Sequence, residues 1–229
     1  MSARAHPLIL AIRPEPGLAA TLAQGRRHGL AITGVPLFEI RPRGWDAPDP
    51  ARIDGLLIGS ANAIRHGGTG LAAFIDKPVF AVGAATADAA RKAGFEVAAV
   101  GEGGLQGVLA AIAPPRRLLR IAGEEHVALD PPEGVGIETV IAYESAALPL
   151  SPELGAQLAK GAIVLLHSAT AAAHFAAECG ALGVPRAAIT LAALGPRIAS
   201  AAGKDWRAIH MPDRPRDAAL LALVAKLCL

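Results

Sequence analysis

Short, unbroken apolar runs alternate with stretches of helical periodicity along this 229-residue chain. The runs at 8–12, 53–58, 79–82, 97–100, 118–121, 163–166, 189–194 and 208–210 read as strands. Most lack polar–apolar alternation, so both faces of each strand are covered, as in the centre of a parallel sheet. Between them, Leu105, Val108, Leu109 and Ile112 stand at i, i+3, i+4 and i+7, and Leu220, Leu223, Val224 and Leu227 repeat that spacing. Strands alternating with helices predict right-handed βαβ units and an α/β fold with parallel sheets flanked by helices.

The pattern occurs twice. Gly55-Leu-Leu-Ile-Gly-Ser60-Ala61-Asn62 is followed by Val79-Phe-Ala-Val-Gly83-Ala-Ala-Thr86, then by a strand and the helix from Leu105. Later, Ile163-Val-Leu-Leu-His167-Ser168-Ala169-Thr170 is followed by Ile189-Thr-Leu-Ala-Ala-Leu-Gly195-Pro-Arg197, then by a strand and the helix from Ala218. Ser60 and Ser168 are 108 residues apart, and Gly83 and Gly195 are 112 apart. A long-period repeat of this kind predicts two similar lobes. The first copy ends on Leu118-Leu-Arg-Ile-Ala-Gly123, and the matching strand of the second copy is N-terminal, Leu8-Ile-Leu-Ala-Ile-Arg13-Pro14. One lobe is therefore expected to be discontinuous, 1–36 plus 148–229, with the other, 43–140, inserted in it. Residues 37–42 and 141–147 both read as extended and would form a two-stranded linker on which the lobes could hinge.

Composition narrows the class. Hydrophobic residues make up 52% and charged ones 18%, which supports a packed core rather than disorder. Aromatics are only 3%, so Ala, Val, Leu and Ile must build that core. The formal charge is +2 with no run of Lys or Arg, and nothing calls for nucleic acid. No apolar stretch is long enough to cross a bilayer, and the apolar run before Arg13 is too short for a signal peptide. Cys179 and Cys228 have no metal or redox spacing. A cytoplasmic, monomeric protein is the expectation.

In open parallel sheets, ligands bind beyond the carboxyl ends of strands, beside helix N-termini. Those ends carry Arg13, then Ser60, Ala61 and Asn62, then Gly83 to Thr86, then Ser168, Ala169 and Thr170, and finally Gly195 and Arg197. Their hydroxyl and amide side chains serve either a ligand or a helix N-cap, and the backbone N–H groups stay open to an anion in both cases. Other candidates are poorer. His167 and Ser168 are adjacent on a strand, so they point to opposite faces, and no nucleophile elbow surrounds the serine. His167 and His174 lack a third zinc ligand. The glycines at 66–70 and 101–104 match no phosphate-loop spacing and read as turns. Glu124, Glu125 and His126 are either acid–base groups or a solvated helix start. Tyr143, the one tyrosine, lies on the second linker, where it either packs or acts. The inventory favours a polar, anionic organic ligand and cofactor-free chemistry or binding.

Several of these segments resemble the uroporphyrinogen-III synthase family. They are Arg13-Pro14, Pro36-Leu-Phe-Glu-Ile, Asp54-Gly-Leu-Leu-Ile-Gly-Ser-Ala-Asn-Ala, Ala81-Val-Gly-Ala-Ala-Thr-Ala, Leu194-Gly-Pro-Arg197 and Pro215-Arg-Asp-Ala-Ala-Leu-Leu-Ala. The resemblance implies two α/β lobes on a two-stranded linker and no cofactor. The implied substrate is hydroxymethylbilane, a linear tetrapyrrole rich in acetate and propionate groups. The implied reaction is closure to uroporphyrinogen III with loss of water and inversion of the last ring. In the usual scheme, loss of the hydroxymethyl oxygen gives an azafulvene. The substituted carbon of the terminal ring attacks it, and the resulting spiro intermediate fragments and recloses. The pyrroles stabilise the cation themselves, so the protein mainly fixes geometry. The family's linker tyrosine falls on Tyr143, which would donate a hydrogen bond to the departing oxygen. Transient contact with hydroxymethylbilane synthase is a further implied partnership.

Departures bear on the side chains. Many members have Thr-Ser at the two serine strands, where this chain has Gly59-Ser60 and His167-Ser168, and Ile198 replaces a common threonine. These losses favour backbone donors over hydroxyl catalysis. The competing class is a two-lobed cytosolic sensor or binding protein that closes on a small anion without turning it over.

Overall fold

The computed structural model describes residues 7–228. The elements run β1 (Leu8–Ala11), α1 (Gly17–Arg27), β2 (Ile32–Gly34), β3 (Phe38–Pro42), β4 (Gly55–Ile58), α2 (Ala61–His66), β5 (Val79–Val82) and α3 (Ala84–Lys92). They continue with β6 (Val97–Gly101), α4 (Leu105–Ala110), β7 (Arg116–Gly123), β8 (Val135–Ala147), α5 (Pro152–Leu158) and β9 (Ala162–Leu166). The last are α6 (Ala169–Ala181), β10 (Ile189–Ala193), α7 (Pro196–Ala201), β11 (Ala208–His210) and α8 (Asp217–Leu227). The chain divides into two compact units. One joins the segment up to Glu39 to the segment from Ala147, and the other is Ile40–Ala146.

The discontinuous unit holds a five-stranded sheet in the order β11-β10-β9-β1-β2, parallel throughout. The inserted unit's sheet runs β3-β8-β7-β4-β5-β6, and the pairs from β8 to β6 are parallel. At its edge, Arg43 N donates to Ala142 O and Leu148 N donates to Leu37 O, so β3 runs antiparallel to β8. In the five-stranded sheet β1 occupies the place that β7 occupies in the other, with β9, β10 and β11 matching β4, β5 and β6.

Both sheets are covered on both faces, which explains the unbroken apolar runs. In the discontinuous unit, Leu10, Val164, Leu166 and Leu191 pack with Phe175 and Trp206 on one side. Ile9, Ile163, Leu165 and Ala192 pack with Leu220, Leu221 and Val224 of α8 on the other. In the inserted unit, Leu56, Ile58, Leu119 and Ile121 meet Ala63 of α2 and Ala87 and Ala90 of α3. The opposite parity, Leu57 and Leu118, meets Val108 and Leu109 of α4 together with Ile112. This alternation along each strand is the period of two expected of a pleated sheet.

Two features differ from the pattern reading. β2 was not expected, because Ile32-Thr-Gly is too short for a visible run, yet it pairs with β1 at Ile9↔Ile32. β8 starts at Val135 and extends over 13 residues, pairing with β7 along its first part. Gly136, Glu138 and Thr139 interrupt its apolar pattern near the sheet margin, where burial is partial.

Candidate active site

Each parallel sheet changes direction of chain progression at one place, between β4 and β7 in the inserted unit and between β1 and β9 in the other. The carboxyl ends of strands at such a reversal form the crevice where open α/β sheets take ligands. In the inserted unit this place is a cavity of about 400 Å³, with Gly59, Ser60, Arg120, Gly123, His126 and Tyr143 among its lining residues.

Tyr143 reaches the cavity because of an irregularity in the sheet. The β7–β8 register shifts between Ala122 and Gly123, which sets Gly123 opposite Tyr143. A Cβ on Gly123 would lie 2.6 Å from Cε2, 2.8 Å from Cζ and 3.1 Å from Oη of Tyr143. Only glycine leaves room for the phenol in that position. The Tyr143 ring is tilted against His66, with centroids 6.4 Å apart. Burial, assisted by the neighbouring Arg65 charge, holds the His66 imidazole below its usual pKa.

The loop after β7 is tied down beside them. His126 Nδ1 lies 2.8 Å from Gly123 O and 3.1 Å from Glu124 O. Carbonyl oxygens only accept, so Nδ1 carries the hydrogen in these contacts. Arg43 holds the same loop through Glu124, and also approaches Glu144 at 3.6 Å.

Arg120 also lines the cavity, and the sequence candidates did not include it. It sits on β7 within Arg-Arg-Leu-Leu-Arg-Ile-Ala-Gly, and only 6% of it is exposed. Its Nε is buried with no hydrogen-bond partner among the described residues. Burial pushes the guanidinium pKa down, and the Tyr143 phenol pulls it the other way. The available signal was a charged residue inside an otherwise apolar central strand.

The other reversal is built differently. His167 Nε2 lies 2.8 Å from Asp217 Oδ1, and Thr21 Oγ1 donates to Asp217 Oδ2 at 2.7 Å. Arg13 Nη1 donates to Thr21 Oγ1 at 3.2 Å and stands 3.5 Å from Asp217 Oδ2. Burial works against the Asp217 charge, but the hydrogen bonds from His167 and Thr21, with the His167 and Arg13 charges, outweigh it and lower its pKa. Arg13 therefore already has an anionic partner.

The remaining candidates are spread over several helix starts. Ser60 Oγ accepts from Asn62 N at 3.2 Å, and Ser168 Oγ accepts from Ala171 N at 3.1 Å, so both cap helices. Gly83, with φ +75°, and Gly195 precede α3 and α7. Ala169, Gly195 and Arg197 border a second cavity of about 430 Å³ in the discontinuous unit. Thr86 and Ala61 are buried, Asn62 is half-buried, and Thr170 is exposed. Ser60 and Tyr143 thus share one cavity, Ala169, Gly195 and Arg197 share another, and Arg13, Ala61, Asn62, Gly83, Thr86, Ser168 and Thr170 line neither. Among the described residues no cluster of His, Cys, Asp and Glu could hold a metal ion, and no helix is long and apolar enough to cross a membrane.

The family model described as uroporphyrinogen-III synthase HemD matches residues 19–222. The chain is similar to the crystal structure of uroporphyrinogen-III synthetase from Helicobacter pylori 26695, with a TM-score of 0.65 at 16% identity, covering 96% of this chain and 99% of that one. A mutant uroporphyrinogen III synthase from the extremely thermophilic bacterium Thermus thermophilus aligns over 96% of this chain and 98% of its own at 16% identity and a TM-score of 0.48. No curated protein matches. With the family model spanning most of the chain, the protein belongs to the uroporphyrinogen-III synthase family, lyases of tetrapyrrole biosynthesis.

Proposed function

We propose that the chain closes hydroxymethylbilane to uroporphyrinogen III, that the cavity of the inserted unit receives part of that substrate, and that Tyr143 assists the first step. The observation that carries this reading is the phenol of Tyr143 seated over Gly123 at a cavity that also holds Arg120, whose buried Nε has no partner among the described residues. About 400 Å³ is near the lower end for ligand pockets, so only a portion of a four-ring chain fits within it.

The reaction needs one proton at the departing hydroxyl and releases one from carbon when the macrocycle closes, so the balance is one water lost. The pyrrole nitrogen supplies the electron pair that expels the hydroxyl. Tyr143 donates a hydrogen bond to that oxygen, and the enzyme's further contribution is to hold the terminal ring so that its substituted carbon attacks. Backbone N–H groups at helix starts and arginines such as Arg197 suit the acetate and propionate groups.

The deciding experiment supplies fresh hydroxymethylbilane, oxidises the products and separates the isomers. The type III isomer is expected in excess. Uncatalysed closure gives type I, and a product of type I alone would overturn the reading in favour of an anion-binding protein without turnover.

A further inference from the structure

Arg120 is a buried cation without a counter-ion among the described residues. It lines the cavity in the inserted unit, and no described hydrogen bond or ion pair engages it. Its Nε is buried and unpartnered, so the desolvation of that end of the guanidinium goes uncompensated among the described residues. The stem explains only part of its presence. Leu118 precedes it on the same face of β7, and Leu57 is its register partner on β4. Both belong to the apolar cluster under α4, so the methylenes lie along apolar surface while the guanidinium carries the cost. Another leucine at this position would continue that face without the penalty.

The two halves of the repeat sharpen the contrast. At the reversal of the discontinuous unit, Arg13 meets Asp217, and that carboxylate is shared with Thr21 and His167. At the reversal of the inserted unit, the arginine has no such partner among the described residues. Glu125 borders the same cavity, yet it forms no ion pair with Arg120. One cluster is closed on itself and the other is open to an incoming anion.

We infer that Arg120 is a substrate-positioning residue whose guanidinium takes a carboxylate of the tetrapyrrole in this cavity. The inference rests on the proposed substrate. It assigns one of the substrate's many carboxylates to a fixed point beside Tyr143 and so orients the ring that carries it. A guanidinium fork pairs with a planar carboxylate through two parallel hydrogen bonds, which fixes direction as well as distance. The low dielectric around Arg120 strengthens that pairing relative to an exposed arginine.

The test uses Arg120→Met and Arg120→Lys beside the wild type. Uroporphyrin I, an octacarboxylate that the enzyme does not turn over, is titrated against each and followed by its fluorescence. Arg120→Met is expected to bind at least about tenfold more weakly, with Arg120→Lys in between. With hydroxymethylbilane the Met variant should show a raised KM and a smaller change in kcat. Without ligand it should melt at or above the wild-type temperature, because the unpaired charge has gone. Unchanged probe affinity and KM, or a lowered melting temperature with unchanged affinity, would overturn the assignment and leave Arg120 a packing residue. The titration does not depend on turnover. Failure to form type III product strikes the proposed function, whereas an unchanged titration strikes this inference alone.

Discussion

Tyr143 owes its position to Gly123, and that dependence separates a role for the phenol from mere packing. A methyl group at Gly123 would come within 2.6 Å of the ring, so Gly123→Ala must displace it. Turnover of Gly123→Ala should fall about as far as that of Tyr143→Phe, roughly 10- to 100-fold if one hydrogen bond to a developing charge is lost. KM should change little in Tyr143→Phe. Steady-state kinetics of both variants check this, and wild-type turnover in Tyr143→Phe would end the catalytic assignment. Legibility at this scale was uneven. Tyr143 stood out through the family resemblance, whereas Gly123 gave no local signal, because its neighbour lies twenty positions away across a register shift.

At the scale of elements, the serines at strand ends divide capping from chemistry. Ser168 caps α6, a helix of 13 residues, and lies outside the cavity that holds Tyr143. Ser168→Ala should lower stability by about 1 kcal/mol and leave kcat near wild type. Ser60 caps α2 and also lines that cavity. Ser60→Ala should lose similar stability, and a kcat loss beyond that of Ser168→Ala would identify its hydroxyl as a substrate contact. Chemical denaturation and kinetics on the same samples separate the two effects. The strands were largely legible because each is buried on both faces and so reads as an unbroken apolar run. β2 and the first half of β8 were not, because a three-residue strand and a partly exposed one leave no such run.

For the whole molecule, Asp217 ties together chain segments some two hundred residues apart. Its carboxylate joins the ends of β1 and β9 to α1 and α8 through Arg13, His167 and Thr21. Asp217→Asn should destabilise the protein by about 1–3 kcal/mol, since buried donors lose a charged acceptor. The Asp217 pKa is lowered on folding, so the unfolded chain holds the proton more tightly. The stabilisation is therefore present above the unfolded value of about 3.9 and is lost as pH falls through the lower folded value. Denaturation of wild type and variant at several pH values should show their difference shrinking below about pH 4. A difference that persisted undiminished into stronger acid would show that the carboxylate charge is not its source.

The apolar runs and their doubling by themselves determined an α/β protein with parallel sheets covered on both sides, because burial on two faces leaves a mark in every strand. The ordered motifs determined its family. Tertiary structure alone decided which charges are satisfied. Arg13 is neutralised by a carboxylate 204 positions later, while Arg120, buried in a central strand, meets none among the described residues. It also decided that a glycine on β7 would underlie the tyrosine on β8. Both outcomes depend on pairings between segments remote in sequence, and the polarity of a residue does not reveal which neighbour will share its burial.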